Sequence, residues 1–244
     1  MTYIDGFVTP VPRDNRAAYE HHVAQAAAIF ADLGATRLVE CRGDDVPAGT
    51  HTDFARAVAL TDDEDVLFSW IEYPDRATRD AAGAAMMADP RMAALGMPFD
   101  GKRMIYGGFD GVMVRDGEGT GTAPGYVDGC LTPVPAAGRD AYIAFAAESA
   151  QVFRDHGALR VVEGWGDDVP AGKHTDFARA VALRDGEIAC YSWIEWPSKD
   201  ARNNGWQAVM ADPRMADRDM PFDGRRMVYG GFLPVFDQRM GADA

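Results

Sequence analysis

The sequence predicts an α+β fold: two tandem β-α-β-β-β-α-β repeats whose sheets pack face to face into a closed or nearly closed barrel. Three observations predict it. The chain is written twice in register, and hydrophobic periodicity switches between strand and helix spacing in the same order in each copy. One strand of each copy is also apolar on both faces.

The repeat is direct. Tyr3-Ile-Asp-Gly-Phe-Val-Thr-Pro-Val-Pro returns from Tyr126 as Tyr-Val-Asp-Gly-Cys-Leu-Thr-Pro-Val-Pro. The stretch from Asp44 to Leu60 returns from Asp167 with one change, Thr50 becoming Lys173. Ser69-Trp-Ile-Glu, Asp89-Pro-Arg-Met-Ala, Met97-Pro-Phe-Asp-Gly and Tyr106-Gly-Gly-Phe return from Ser192, Asp212, Met220 and Tyr229. The offset is constant, so no residue is inserted or lost between the copies. The expected organisation is a first repeat over residues 1–110, a Gly-rich linker over 111–125 and a second repeat over 126–238. A flexible linker of about 15 residues reaches roughly 20 Å, enough to set two small domains side by side.

Within one copy the elements follow in order. Tyr3 to Val11 alternates and is rich in β-formers, so it reads as a strand closed by Pro10 and Pro12. Asp14 is placed to cap a helix with Tyr19, Val23, Ala27, Phe30 and Leu33 on one face and Gly34 as its stop. Thr36 to Arg42 is a short strand ending in the turn-rich Gly-Asp-Asp-Val-Pro-Ala-Gly loop. Phe54 to Leu60 and Val66 to Tyr73 read as a hairpin across Thr61-Asp-Asp-Glu-Asp. A helix follows from about Arg76 to Ala88, with Ser198 as N-cap in the second copy, and Arg103 to Phe109 is the last strand. This order is close to the ferredoxin-like plan with one strand added. Helices cover only one face of the Val66–Tyr73 strand, so the second copy is the natural cover for the other.

Composition limits the function. The chain is 47% hydrophobic and 25% charged, with 24 basic against 38 acidic side chains and a net charge of −14. Such an acidic chain is repelled by phosphate backbones and anionic lipid, so neither nucleic acid nor membrane is expected as a partner. No apolar run is long enough to span a bilayer, and the start shows no secretory pattern, so a cytoplasmic location is expected. Cys41, Cys130 and Cys190 face Gly164, Phe7 and Leu67 in the repeat and read as buried hydrophobes rather than ligands or a disulfide.

Two polar constellations are candidates for chemistry. Glu40, His51 and Asp53, repeated as Glu163, His174 and Asp176, are donor types suited to a divalent metal, with His51 and Asp53 on one side of a strand. Their spacing matches no metal signature, and the neighbouring Asp-Asp-Val-Pro-Ala-Gly has turn chemistry, so they rank as weak metal candidates. The sharper constellation follows from the hairpin register. Arg56 lies opposite Trp70 and diagonal to Glu72, with Arg179, Trp193 and Glu195 repeating it. In a barrel interior, Arg56 and Arg179 would hold an anion, Trp70 and Trp193 would stack on it, and Glu72 and Glu195 would move a proton. The competing reading is a satisfied Arg–Glu–Trp cluster that joins the sheets. His21 and His22 have no counterpart and are expected in solvent, while Met86, Met87, Met92, Met97 and Met104 are expected as core filler. No Walker, Gly-x-Gly-x-x-Gly or Gly-x-Ser-x-Gly pattern occurs, so no cofactor is called for.

The Tyr-Ile-Asp-Gly-Phe-Val run resembles the YbaA-like family, catalogued as a domain of unknown function. So do the segments Gly-Asp-Asp-Val-Pro-Ala-Gly-Lys-His-Thr-Asp-Phe-Ala-Arg-Ala-Val, Ser-Trp-Ile-Glu-Trp-Pro-Ser-Lys, Asp-Pro-Arg-Met and Met-Pro-Phe-Asp-Gly-Arg-Arg-Met-Val-Tyr-Gly-Gly-Phe. The resemblance covers nearly all of both copies. It implies a tandem fusion within the dimeric α/β-barrel superfamily, folded here as an intrachain pseudo-dimer. That superfamily includes cofactor-free monooxygenases, isomerases, haem enzymes and non-catalytic stress proteins, so the resemblance implies fold more than chemistry. Two functions stay open. One is a small-molecule pocket, with a cofactor-independent oxygenase or isomerase acting on an aromatic or enolisable acid. The other is a non-catalytic ligand-binding or stress/interaction protein, with divalent-metal binding a weaker third. A further homodimer is compatible with either. Cys41-Arg42 stands where the second copy has Gly164-Trp165, and Thr50 where it has Lys173, so sites at these positions would differ between the copies.

Overall fold

The computed structural model describes residues 2–118, 121–216 and 218–241. The first repeat runs β1 (Tyr3–Pro12), α1 (Arg16–Asp32), β2 (Arg37–Asp45), one-turn α2 (Phe54–Ala57), β3 (Glu64–Tyr73), α3 (Arg76–Ala88), α4 (Pro90–Ala94) and β4 (Ile105–Asp116). The second runs β5 (Tyr126–Pro135), α5 (Arg139–Asp155), β6 (Arg160–Asp168), α6 (Phe177–Ala180), β7 (Glu187–Trp196), α7 (Lys199–Ala211) and β8 (Val228–Arg239).

All eight strands close one antiparallel barrel in the order β1-β3-β2-β8-β5-β7-β6-β4. Closure is reciprocal. β8 of the second repeat pairs with β2 of the first, and β4 of the first pairs with β6 of the second. The inner face is aromatic, with Phe68 stacked on Tyr191 at 4.4 Å between centroids and Phe109 and Phe232 fully buried beside them. Each sheet accepts its neighbour's ring where it carries a glycine. A Cβ on Gly6 would lie 2.9 Å from the Tyr191 ring, and one on Gly129 would lie 2.8 Å from the Phe68 ring. Helices α1 and α3 cover the outer face of the first sheet through Tyr19, Val23, Ala27 and Ala82, and α5 and α7 cover the second.

Three expectations are corrected. Phe54–Leu60 is not a strand, so each repeat is β-α-β-β-α-β with a helical turn where the extra strand was expected. Phe-Ala-Arg-Ala-Val suits either spacing. Asp53 decides for helix, its carboxylate accepting from the Arg56 N–H at 2.7 Å, and Phe54, Ala57 and Val58 then share one buried face at helical spacing. α6 repeats this with Asp176. The linker does not begin at 111, because β4 runs through Asp116 and its last turns find hydrogen-bond partners on β6, from Gly111 opposite Gly164 to Asp116 opposite Arg160. Asp14 is not a cap: residues Arg13–Asn15 form a 3₁₀ turn before α1. Ser198 does cap α7, accepting from the Ala201 N–H at 3.1 Å.

Candidate functional site

The barrel interior brings together some of the expected residues and excludes others. Trp70 and Trp193 stack at 4.3 Å, and their indole N–H groups donate to Glu72 at 3.1 Å and Glu195 at 3.0 Å. Arg56 and Arg179 are not there. They project from α2 and α6 with side chains more than half exposed, each donating to a loop carbonyl (Gly49 or Gly172) at 2.9 Å and pairing with its own capping aspartate. The cations that reach Glu72 and Glu195 are instead Arg37, which is buried, and Arg160, which is largely so. Arg37 donates through two nitrogens to Glu195 (2.7 and 3.0 Å) and through two to Asp237 (2.9 Å each). Arg160 grips Glu72 at 2.6 and 2.7 Å. Burial alone would raise the Glu72 pKa, but the Arg160 hydrogen bonds and charge hold it below the usual carboxylate range. The signal was present in the sequence: an arginine at the same place in both copies, inside an apolar strand.

The weak metal candidates do not converge. Asp53 and Asp176 are helix caps, His51 and His174 are exposed on the preceding loop, and Glu40 and Glu163 sit on the outer sheet faces. Among the described residues no group of three or more His, Cys, Asp or Glu side chains could hold a metal ion.

Glu40 opens onto the largest cavity described, about 750 Å³ between the outer face of the first sheet and α1, α3 and α4. That volume suits a small organic ligand. Its floor carries Glu40, Asp5 and Tyr73, and its walls Phe30 and Phe99. Glu40 Oε2 accepts from the Tyr19 hydroxyl at 2.7 Å and from the Ser69 hydroxyl, with no cation paired to it among the described residues. Burial therefore dominates and raises its pKa to about 7, the two hydrogen bonds only moderating the rise. Burial raises Asp5 to about 6 against the opposing Arg79 guanidinium, 2.8 Å away.

His22 faces this cavity rather than bulk solvent, as does the methionine group. The imidazole is half-buried against the Phe99 edge, its pKa lowered by burial, and Nδ1 is sealed from solvent without a hydrogen-bond partner. Met86, Met87, Met92, Met97 and Met104 line the cavity instead of filling a core, and Met87 and Met97 are largely exposed. Both corrections have one cause: midway along α3, Gly83 sits among alanines and leaves the space open, and no atom lies within 4 Å of where a Gly83 Cβ would be.

The second repeat fills the same space. Trp206 stands at the place of Gly83, donates its N–H to Asp128 at 2.7 Å and packs edge-on against Phe153 at 4.9 Å. Phe145 stands for His22, and Arg218, standing for Leu95, lies over its ring at 4.4 Å while donating to Ser149 at 2.9 Å. Glu163 keeps the Tyr142 bond at 2.5 Å and a pKa raised by burial to about 7. The carboxyl–tyrosine–serine unit is thus duplicated, while among the described residues Trp206, Phe145 and Arg218 take the place of the cavity above it.

Comparison with known proteins follows the same halves. Residues 2–101 and 125–224 match a family described as protein of unknown function (DUF1428). The uncharacterized protein YbaA of Escherichia coli K12 is 55% identical over 115 residues, which is 46% of this chain and 98% of that relative. A crystal structure from Fusobacterium nucleatum, described as a candidate monooxygenase, superposes with a TM-score of 0.63 at 10% identity over 99% of this chain and 95% of that one. Another so described, from Lactobacillus acidophilus, gives 0.59 at 11% identity over 99% and 98%. These likenesses establish the barrel fold.

Proposed function

The chain belongs to the DUF1428 family, in tandem, and from its own geometry we propose that it binds a small, weakly acidic apolar molecule in the first-repeat cavity, with Glu40 as the proton acceptor. The observation that carries this reading is the cavity's restriction to the repeat that has Gly83 where the other has Trp206. A carboxyl group with a pKa near 7 and no paired cation is half-ionised at neutral pH, which suits proton exchange with a phenol, an enol or an acidic C–H. Tyr19 and Ser69 fix the carboxylate by donating to the same oxygen, on a residue that lines the cavity.

The chemistry balances without a cofactor. Glu40 takes the proton and the bonding electron pair stays on the ligand as a phenolate or enolate. Return of the proton from Glu40 to a different carbon is an isomerisation with no net redox change. With dioxygen as oxidant, a ligand whose acidic C–H belongs to a CH₂ group is oxidised at that carbon to a carbonyl: both hydrogens leave with one oxygen atom as water and the other oxygen atom enters the product. The description of two neighbours of this fold as candidate monooxygenases accords with the second course. One observation favours binding without turnover: the Glu163–Tyr142 pair persists in the repeat where, among the described residues, Trp206 and Arg218 occupy the corresponding space.

The test is a panel of phenols, anthrones and β-diketones screened by thermal shift, solvent hydrogen–deuterium exchange and oxygen uptake. Gly83→Trp, which imitates the second repeat, is expected to fold normally and abolish ligand shifts. Glu40→Gln is expected to keep binding and lose exchange. Ligand shifts that survive Gly83→Trp would refute the site, exchange or uptake unaffected by Glu40→Gln would refute Glu40 as the proton acceptor, and ligand shifts with neither exchange nor uptake in the wild type would leave a binding protein.

A further inference from the structure

A second concavity lies where the repeats meet, between the turn at Gly101–Lys102 and the Pro170–Asp176 loop, with a volume of about 410 Å³. The chain has only three lysines. Lys199 pairs with Asp44 at 2.5 Å, and the other two, Lys102 and Lys173, both line this cleft together with His174. Neither Lys102 nor Lys173 forms an ion pair among the described residues. The nearby carboxylates are occupied elsewhere. Asp176 accepts from Arg179 at 2.7 Å and from two backbone N–H groups, and Asp100 accepts from Arg103 at 2.8 Å and from the Lys102 backbone N–H.

The pseudo-symmetric cleft of about 340 Å³ supplies an internal control. There Thr50 stands for Lys173, and Arg225, standing for Lys102, is held by Asp223 at 2.9 and 3.1 Å. The same architecture is neutralised on one side, while on the other it carries two cations without an ion pair among the described residues, Lys102 acting on Asp100 only at longer range. In a chain of net charge −14, whose arginines are largely paired with carboxylates, such cations gathered in a concave site create a local field suited to an anion.

We infer that the Lys102–Lys173–His174 cleft binds a small organic anion, a phosphate or carboxylate carrying a compact apolar or aromatic group. The two ammonium groups and the imidazole supply the donors, and Met104, Ile105, Tyr106 and Pro170 supply the apolar wall. Met104 and Tyr106 also line the first-repeat cavity, so the two sites share a wall, but the anion site does not depend on that cavity's occupant.

Calorimetric titration at low salt with phenyl phosphate, benzoate and inorganic phosphate tests this. Saturable one-to-one binding of phenyl phosphate or benzoate is expected, weakened about tenfold or more by Lys173→Thr, the residue of the neutral cleft, since a charge-assisted hydrogen bond is lost. Lys102→Ala should weaken it similarly, and Gly83→Trp should leave it unchanged, separating this site from the cavity. Preference between the phosphate and the carboxylate probe identifies the head group. Absence of saturable binding by all three probes at millimolar concentration, or wild-type affinity in Lys173→Thr, would overturn the inference.

Discussion

Glu40 shows how one carboxyl group acquires a function-like pKa from its surroundings alone. Its folded pKa of about 7 lies above its ordinary 4.5, as does that of Glu163, so the folded chain holds extra protons between those values. Stability from these groups is therefore fully present below pH 4.5 and is lost as pH rises through 7. Asp5, raised to about 6, adds to the fall, while His22, lowered by burial, opposes it. Comparing variants isolates the carboxyl: Glu40→Gln should flatten the decline in melting temperature between pH 5 and 8 relative to wild type, and an unchanged slope would contradict the burial argument. The arginines offer a sharper contrast. Arg37→Ala removes the cation from Asp237 and leaves Glu195 only the more distant Arg160, 3.5 Å away, so it should cost about 3–5 kcal/mol, whereas Arg56→Ala on the surface should cost under about 1 kcal/mol, both read from urea unfolding.

At the scale of elements, α2 and α6 each end in a left-handed alanine, Ala59 at φ 48° and Ala182 at φ 47°. An L-residue pays for that conformation with a contact between Cβ and carbonyl that glycine lacks. Each strained carbonyl accepts from an arginine of the same repeat, Arg103 at 2.9 Å and Arg226 at 3.0 Å, which helps hold the geometry. Ala59→Gly should accordingly raise stability by about 0.5–1 kcal/mol, visible as a higher melting temperature. A loss would mean that the alanine methyl packs more favourably than the strain costs. These short helices plug the barrel: Phe54 meets Phe68 and Phe232 edge-on, and Phe177 does the same with Phe109 and Tyr191.

For the whole molecule, neither repeat can close a sheet alone. β2 needs β8, β6 needs β4, and the aromatic inner face of each sheet is covered only by the other. A fragment ending at Asp116 would expose both an unpaired edge and that face. It is expected to form a dimer in light scattering, with the β4 tail of one copy on β2 of the other. A stable monomer at micromolar concentration would contradict the reciprocal closure. Fusion into one chain has a functional corollary. Once the copies are covalently joined they can diverge, which is how Trp206 fills one outer cavity while Gly83 leaves its counterpart open, and how Lys173 charges one junction cleft while Thr50 leaves the other neutral.

The duplication, the α+β class, the face-to-face barrel and most element boundaries are legible in the residues alone, because they rest on local periodicity and on identity between copies. That Phe54–Ala57 is helical emerges only on assembly, since a run of small and apolar residues satisfies both spacings until the Asp53 cap and the aromatic plug select one. Assembly also decides which arginines are internal: the partners of Arg37, Glu195 and Asp237, lie in the other repeat, and no local pattern reports a pairing made by barrel closure. The cavity was least legible of all. Gly83 and Trp206 are visible as a difference between copies, but a cavity is space left among β1, β2, β3, α1, α3 and α4, and it exists only once those elements are assembled.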